Sequence, residues 1–220
     1  LLVFTSIGKV HWLRVFSIPE VSRIAKGKSI ANLLNLQVGE SIASILSVRE
    51  FEEDKFVMVA TERGIVKKTS LMSYSKPRQG GVIGLTIDDG DRLIGAELCD
   101  GESDILLATK KGFSIRFSEK EARPIGRTGR GVKGIRLKTD DRVVGAEIVH
   151  PGNMLLTVTS NGYGKRTQLE EYPVQGRGGL GVMTIRCNEK IGAVVGVQQV
   201  TENDQLLVIT SDGNIVRMKV

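Results

Sequence analysis

Cysteine is scarce. Cys99 and Cys187 are the only two in 220 residues, too few for a disulfide framework, and both lie in or beside apolar runs, as core thiols do. Histidine is as rare. His11 and His150 stand alone, with no Cys, His or carboxylate at metal-ligand spacing. Aromatics make up 5% of the chain, with a single tryptophan, Trp12. No stretch approaches the roughly 18 consecutive apolar residues of a membrane span. No charged-then-apolar leader with a small-residue cleavage site opens the chain, so neither secretion nor a membrane is expected. There is no initiator Met: the chain starts at Leu1 inside an apolar run and stops at Val220 in another, as a piece of a larger protein would. The P-loop pattern is missing, and the serines have no matching His and acid. Charge of neither sign dominates. With 31 Lys and Arg against 25 Asp and Glu the net charge is +6 and the pI near 9.4, too modest to choose among nucleic acid, an anionic surface and an acidic partner.

Glycine is abundant, with 26 residues, and its placement exposes a repeat. One element reads apolar run, Thr, two residues, Gly, second run: LLVFTSIGKVHWL, FVMVATERGIVKKT, ILLATKKGFSIRF, LLTVTSNGYGKRT and LLVITSDGNIVRM. Its glycines are Gly8, Gly64, Gly112, Gly162 and Gly213, a period of about 50 residues that signals a propeller or solenoid type of array. The flanks are short and rich in Val, Ile, Leu, Phe and Thr, so each element is predicted to be a β-hairpin. Asn161-Gly162 and Asp212-Gly213 are the strongest short turn signals, since glycine accepts positive φ.

A glycine cluster follows each hairpin after a loop. Gly81-Val82-Ile83-Gly84-Leu85, Gly131-Val132-Lys133-Gly134-Ile135 and Gly178-Gly179-Leu180-Gly181-Val182 align, with Gly27-Lys28-Ser29-Ile30 as a divergent first copy. A short apolar run, an acidic or polar turn and a longer apolar run come next. Each repeat thus reads as four short strands and no convincing helix, the only local rival being one turn near Glu119 to Arg123 before Pro124. The expected fold is all-β, a propeller-like array of four-stranded blades with units near 1–54, 55–103, 104–152, 153–203 and a partial 204–220. A ring built from this chain alone is expected to be incomplete or to borrow strands.

Some signals look chemical and are better explained by structure. Gly129 to Gly134 and Gly176 to Gly181 both fit G-x-G-x-x-G, but a dinucleotide site needs a preceding strand and a following helix, and here the glycines precede a strand and recur with the repeat. Acidic runs at Glu50, Glu52, Glu53 and Asp54, at Asp88, Asp89 and Asp91, and at Asp140 and Asp141 sit in turns. No catalytic or metal constellation emerges.

The cations follow the repeat. Four residues after the hairpin glycine stand Lys68, Arg116, Arg166 and Arg217, with Trp12 in the first copy and Lys9 and Arg14 beside it. Lys67 and Lys165 add a charge one position earlier. The loops before the glycine clusters carry Arg23, Lys26 and Lys28, then Lys76 and Arg78, then Arg123, Arg127, Arg130 and Lys133, then Arg177. In a radial array, a cation recurring once per blade would form a belt at the rim. Scarce aromatics argue against single-strand stacking, which leaves phosphate tracking along duplex DNA with little base readout.

Several segments carry a family resemblance: IPEVSRIAKGK from Ile18, Asn32-Leu33-Leu34, GIVKKT from Gly64, GVKGIRL from Gly131, NGYGKRT from Asn161, and Glu171-Tyr172-Pro173. Through them the chain resembles, end to end, the C-terminal domains of the DNA gyrase A-type subunits. The resemblance implies a β-pinwheel whose blades exchange a strand and whose basic rim wraps duplex DNA for strand passage. It implies work beside the N-terminal part of the same A-type polypeptide, and beside B-type polypeptides, in an A2B2 enzyme of the bacterial cytoplasm and nucleoid. In that family ATP and magnesium belong to the B-type polypeptide, and this chain is expected to hold no cofactor itself. The nucleophilic tyrosine lies in the N-terminal part and is none of Tyr74, Tyr163 and Tyr172. The gyrase hallmark, a Gln-basic-Arg-Gly-Gly-basic-Gly box, is not in the chain. Gln175 to Gly181 is a degenerate copy lacking cations at Gly176 and Leu180. Topoisomerase IV and a propeller-type interaction module therefore remain alternative readings.

Overall fold

The recurring Thr-x-x-Gly element builds every hairpin. The computed structural model describes residues 1–22, 24, 25 and 27–220; the cations Arg23 and Lys26 lie outside the described residues. In chain order the first repeat holds β1 (Leu2–Thr5), β2 (Lys9–Trp12), α1 (Ala31–Leu34) and β3 (Ile42–Leu46). The second holds β4 (Phe56–Thr61), β5 (Ile65–Ser70), β6 (Val82–Ile83) and β7 (Leu93–Cys99). The third holds β8 (Asp104–Thr109), β9 (Phe113–Ser118), β10 (Val132–Lys133) and β11 (Val143–Val149). The fourth holds β12 (Met154–Thr159), β13 (Gly164–Gln168), β14 (Val182–Met183) and β15 (Val194–Val200), and β16 (Gln205–Ile209) and β17 (Ile215–Lys219) close the chain.

The hairpin turn is wider than a two-residue Asn-Gly turn. The β4–β5 ladder ends at the Ala60–Val66 pair, and the Gly64 N–H donates to the Thr61 carbonyl at 2.9 Å. The same bond closes the other turns, and the five glycines share φ between 78° and 84°. This is a turn followed by one left-handed residue, a position that admits glycine at no steric cost. The threonine recurs for its side chain: Thr61, Thr109 and Thr210 each accept, through Oγ1, the N–H of the residue after the glycine at 3.2 Å.

The third strand of repeats two, three and four is lent to the preceding hairpin. The sheets run β3-β1-β2-β6, β10-β5-β4-β7 and β11-β8-β9-β14, so β6, β10 and β14 each complete a sheet begun one repeat earlier. Gly81, Gly131 and Gly181 lie at the start of these strands, all at positive φ. An added Cβ there would strike the carbonyls of Val10, Val66 and Ser114 on the receiving strands. The register of the clusters is therefore 81, 131 and 181, which corrects the alignment of Gly178 with Gly131. Leu85 and Ile135, expected to sit in the third strands, follow them instead as fully buried plugs. The first repeat departs further: the apolar NLL segment forms the single helical turn α1, not a strand.

Burial lies between blades. One core joins Leu2, Phe4 and Val10 to Val57, Val59, Leu71 and Tyr74; the next joins Met58, Ala60 and Val66 to Ile105, Leu107 and Phe117; a third joins Leu106 and Ala108 to Leu155, Leu169 and Tyr172. Alternate residues of each strand thus face opposite neighbours, and β4, β5 and β8 bury both faces. At the inner edge β3 packs on β7, β7 on β11 and β11 on β15. The lent strands occupy the opposite edge of each sheet. Among the described residues blade four holds β13-β12-β15, and the β16–β17 hairpin stands apart as a two-stranded sheet. A 3-10 turn follows each of the first four hairpins, at Val15–Ser17, Leu71–Tyr74, Glu119–Glu121 and Leu169–Glu171. Only the third of these was legible in the sequence. Among the described residues no helix is long and apolar enough to cross a membrane.

Candidate nucleic-acid interface

The position four residues after each hairpin glycine does not form a belt of exposed charge. Lys68 is 4% exposed. Its Nζ donates to the Glu119 carbonyl at 3.0 Å, lies 3.6 Å from the Glu119 carboxylate and 5.2 Å from the Phe56 ring centroid. Half-buried Arg116 does the same one blade on, bonding Asp104 at 2.8 Å and the Leu169 carbonyl at 2.9 Å. Trp12, which stands at this position in the first copy, donates Nε1 to the Tyr74 carbonyl at 2.8 Å. Each of these donors reaches the 3-10 turn of the following repeat. The position is a latch between blades. Its donors satisfy carbonyls that the interface removes from water, which is why a tryptophan can replace a cation there.

Lys67 is also withdrawn from the rim. It is fully buried, and its Nζ donates to the carbonyls of Gly84, Gly126 and Arg127. Burial, and then the nearby Arg127 charge, lowers its pKa to about 8. Lys67 thereby fastens the loop that presents Arg127 and Arg130. As direct DNA contacts, Lys67 and Lys68 are corrected: packing of the next blade covers both side chains. Arg116 is in large part corrected for the same reason.

The remaining expected cations are accessible. Arg14, Arg78, Arg130, Lys133, Lys165, Arg166 and Arg217 are exposed, and Lys9, Arg127 and Arg177 are half-buried. Arg14 lies 5.8 Å from the Phe16 ring centroid, and Arg217 is held by Gln205. Arg130 pairs with Asp88 at 2.9 Å, both side chains more than half exposed. Lys133 projects from the lent strand β10, and its carbonyl accepts from the Arg177 guanidinium at 2.6 Å. The Arg177 N–H donates to Glu121 at 2.8 Å. The lent-strand segments also bond one another: Gly178 N–H to the Gly134 carbonyl at 2.7 Å, Arg136 N–H to Gly179 at 2.8 Å. The structure therefore gathers Arg127, Arg130, Lys133 and Arg177 along one continuous edge. Lys9, on β2 opposite Ile83, belongs to the same edge. Exposed Arg136 joins it through that bond to Gly179, and exposed Arg186 stands at the equivalent place one repeat on; the alignment of Gly178 with Gly131 hides their shared position five residues after Gly131 and Gly181.

The acidic turns have structural tasks. Asp91 accepts the Arg63 N–H and Asp141 the Lys111 N–H, each at 2.9 Å, docking the turn onto the hairpin tip. The run from Glu52 to Asp54 is solvated. Two glutamates that sequence patterns did not flag lie at the inner edge. Glu97 accepts the Ile148 N–H at 2.8 Å, and Glu147 the Gln199 N–H at 3.2 Å, so each grips the next blade. Burial, and then the Glu147 charge, raises Glu97 to about 7, and burial raises Glu147 as well. Among the described residues no cluster of His, Cys, Asp and Glu has the makings of a metal site.

Known proteins share this plan. The family described as DNA gyrase C-terminal domain, beta-propeller, matches residues 1–49, 55–100, 103–150, 153–201 and 204–220. The gyrase A polypeptide of Salmonella typhimurium is 46% identical over 220 residues, all of this chain and 25% of that protein; that of Clostridium acetobutylicum is 42% identical over the same length and 26% of its own. The chain thus spans about a quarter of the curated relatives it matches. A solved C-terminal domain of DNA topoisomerase IV overlays 99% of this chain and 68% of its own, with TM-score 0.89 and 26% identity. A solved DNA gyrase A C-terminal domain overlays 98% of this chain and 70% of its own, with TM-score 0.84 and 25% identity. With the lent strands, the repeats and these matches in agreement, the chain belongs to the DNA gyrase C-terminal domain family.

Proposed function

We propose that the chain binds duplex DNA along its lent-strand edge and bends it, as the wrapping module of a type II topoisomerase. The observation that carries this reading is the continuous basic edge formed by Arg127, Arg130, Lys133, Arg136 and Arg177. Bending a 20–30 bp site by 40–90° costs on the order of 1–6 kcal/mol, and one exposed ion pair returns about 0–1 kcal/mol. Several blades must therefore contribute together, with counterion release as the main drive. The wrapped segment is presented to a strand-passage gate made by the N-terminal part of the A-type polypeptide. The B-type polypeptide of an A2B2 enzyme supplies ATP hydrolysis with magnesium, and the products are negative supercoils in the bacterial cytoplasm and nucleoid. The single pinwheel is divided into units near 1–54, 55–103, 104–152, 153–203 and 204–220.

The test is ligation of a nicked circle in the presence of the chain. A shift in linking number that grows to saturation, together with an affinity that falls by about 0.9 log units per phosphate contact per log unit of salt, supports wrapping; tight binding with no shift overturns it. A second reading is that the parent enzyme is a topoisomerase IV, whose solved C-terminal domain overlays this chain with TM-score 0.89 at 26% identity. Assay of the parent holoenzyme on relaxed plasmid separates the two.

A further inference from the structure

Blades two and three differ at their hairpin-turn ends. In blade two, Glu62 bonds both Arg92 and Arg142 at 3.0 Å, and Asp88 pairs with Arg130. The equivalent positions of blade three carry Lys110 in place of Glu62 and Lys138 in place of Asp88. A notch of about 680 Å³ opens there, walled by Lys110, Lys111, Lys138 and Arg186 around Phe113 and Met183. Among the described residues no carboxylate lies within ion-pair distance of these four cations. Asp140 and Glu189 also line the notch, while neighbouring Asp141 is engaged by the N–H groups of Lys111 and Arg142 at 2.9 Å. Lys111 Nζ is fixed to the Thr139 carbonyl at 2.6 Å, and Lys138 Nζ sits 3.8 Å from the Phe113 ring centroid. These contacts hold two ammonium groups over the floor of the notch while leaving them without a counter-anion. The Met183–Phe113 strand pair joins the notch to the lent-strand edge.

We propose that this notch is a phosphate-binding site, and that the phosphate it takes is a backbone phosphodiester of duplex DNA turning off the lent-strand edge. The assignment of DNA as the source rests on the functional reading above; the affinity for phosphate rests on the notch alone. A planar base has no free aromatic face here, because Lys138 covers Phe113, so the site recognises charge and not sequence.

Cys187, expected to be a core thiol, instead lines the notch half-buried, with its thiol 3.7 Å from the Lys110 carbonyl, and reports on occupancy. Cys99 is buried, and burial raises its thiol pKa far above the ordinary value, so it stays inert. The experiment measures iodoacetamide labelling of Cys187 by mass spectrometry in the 220-residue chain. One arm adds a duplex of about 40 bp, long enough for the bent site, whose binding is followed by anisotropy; the other adds inorganic pyrophosphate. The expected result is slower Cys187 labelling with bound duplex. Protection should be lost in Lys110→Glu/Lys138→Glu, which should also weaken duplex binding by about fivefold per charge removed. An unchanged thermal unfolding midpoint certifies that this surface variant is folded. Bound duplex without protection, and no protection by pyrophosphate, overturns the site while the DNA reading stands. Protection by pyrophosphate in a chain that does not bind duplex keeps the phosphate site and removes DNA as its source. Protection by pyrophosphate but not by bound duplex does likewise. Failure of both ligands to bind overturns the site and the DNA reading together.

Discussion

Blades two and four carry the same hairpin and the same cation position, yet the cations live in opposite environments. Lys67 and Lys68 are buried, while Lys165 and Arg166 are exposed. The local sequences GIVKKT and GYGKRT are close relatives. What differs is the following repeat. Blade two receives the lent strand β10, and Pro124 and Ile125 of the third repeat pair along Lys68. Among the described residues no lent strand pairs with β13, so its outer edge is uncovered. A residue's place in the repeat fixes its direction; only the neighbouring blade fixes whether it becomes a latch or a surface charge.

The contrast should break most sharply at the latch. Lys68→Met leaves Glu119 buried without its cation, and should cost about 3–5 kcal/mol of stability in urea unfolding. Arg166→Met, the same change on the open blade, should stay within about 0.5 kcal/mol. Equal losses at the two sites would refute the latch reading. The double change Lys68→Met/Glu119→Gln should recover part of the loss, since the pair is coupled.

Hairpin glycines sharpen the same comparison. Gly112→Ala must adopt left-handed backbone, at about 1–2 kcal/mol, and also strikes the Ile185 carbonyl of the next lent segment. Gly213→Ala meets open space and should pay the backbone cost alone. Thermal melts of both variants, compared by ΔΔG, give the difference.

The inner edge predicts a pH dependence. Glu97 has a folded pKa of about 7, above its ordinary 4.5, so the unfolded chain loses the proton first as pH rises. Stability should be greatest below about 4.5 on this account and fall as pH climbs through 7. Allowing for screening, the loss is about 1–2 kcal/mol. Glu97→Gln should flatten the limb between pH 4.5 and 7 of an unfolding series; a limb of unchanged slope would assign the dependence to other groups.

Smallest is the first latch. Trp12→Phe keeps an aromatic ring and removes one hydrogen bond to the Tyr74 carbonyl, a loss of about 0.5–1.5 kcal/mol by equilibrium unfolding.

The sequence carried much of the fold because its signals are local. The Thr-x-x-Gly turns, the short apolar flanks and the glycine clusters each act within a few residues, and each became a hairpin or the start of a lent strand. The 3-10 turn at Glu119–Glu121 was visible because Pro124 and a charged run delimit it; the apolar Leu71–Tyr74 turn gave no such mark. Arg130 and Lys133 are exposed, as their place in the repeat predicts. The same repeat logic predicts exposed Lys67 and Lys68, yet both are buried, because their partners Gly126, Arg127 and Glu119 lie half a hundred residues away.

By itself, then, the sequence determined the repeat, the strand content and the excess of positive charge in the glycine-cluster loops. These depend on periodicity and on backbone freedom at single residues. Tertiary structure alone decided which strand the expected exchange uses and that it completes the preceding blade, that Lys68, Arg116 and Trp12 share one task, and that Glu97 and Glu147 face the next blade. Those outcomes depend on which distant carbonyls and N–H groups are removed from water together, and burial is a property of the packed neighbours and not of the residue.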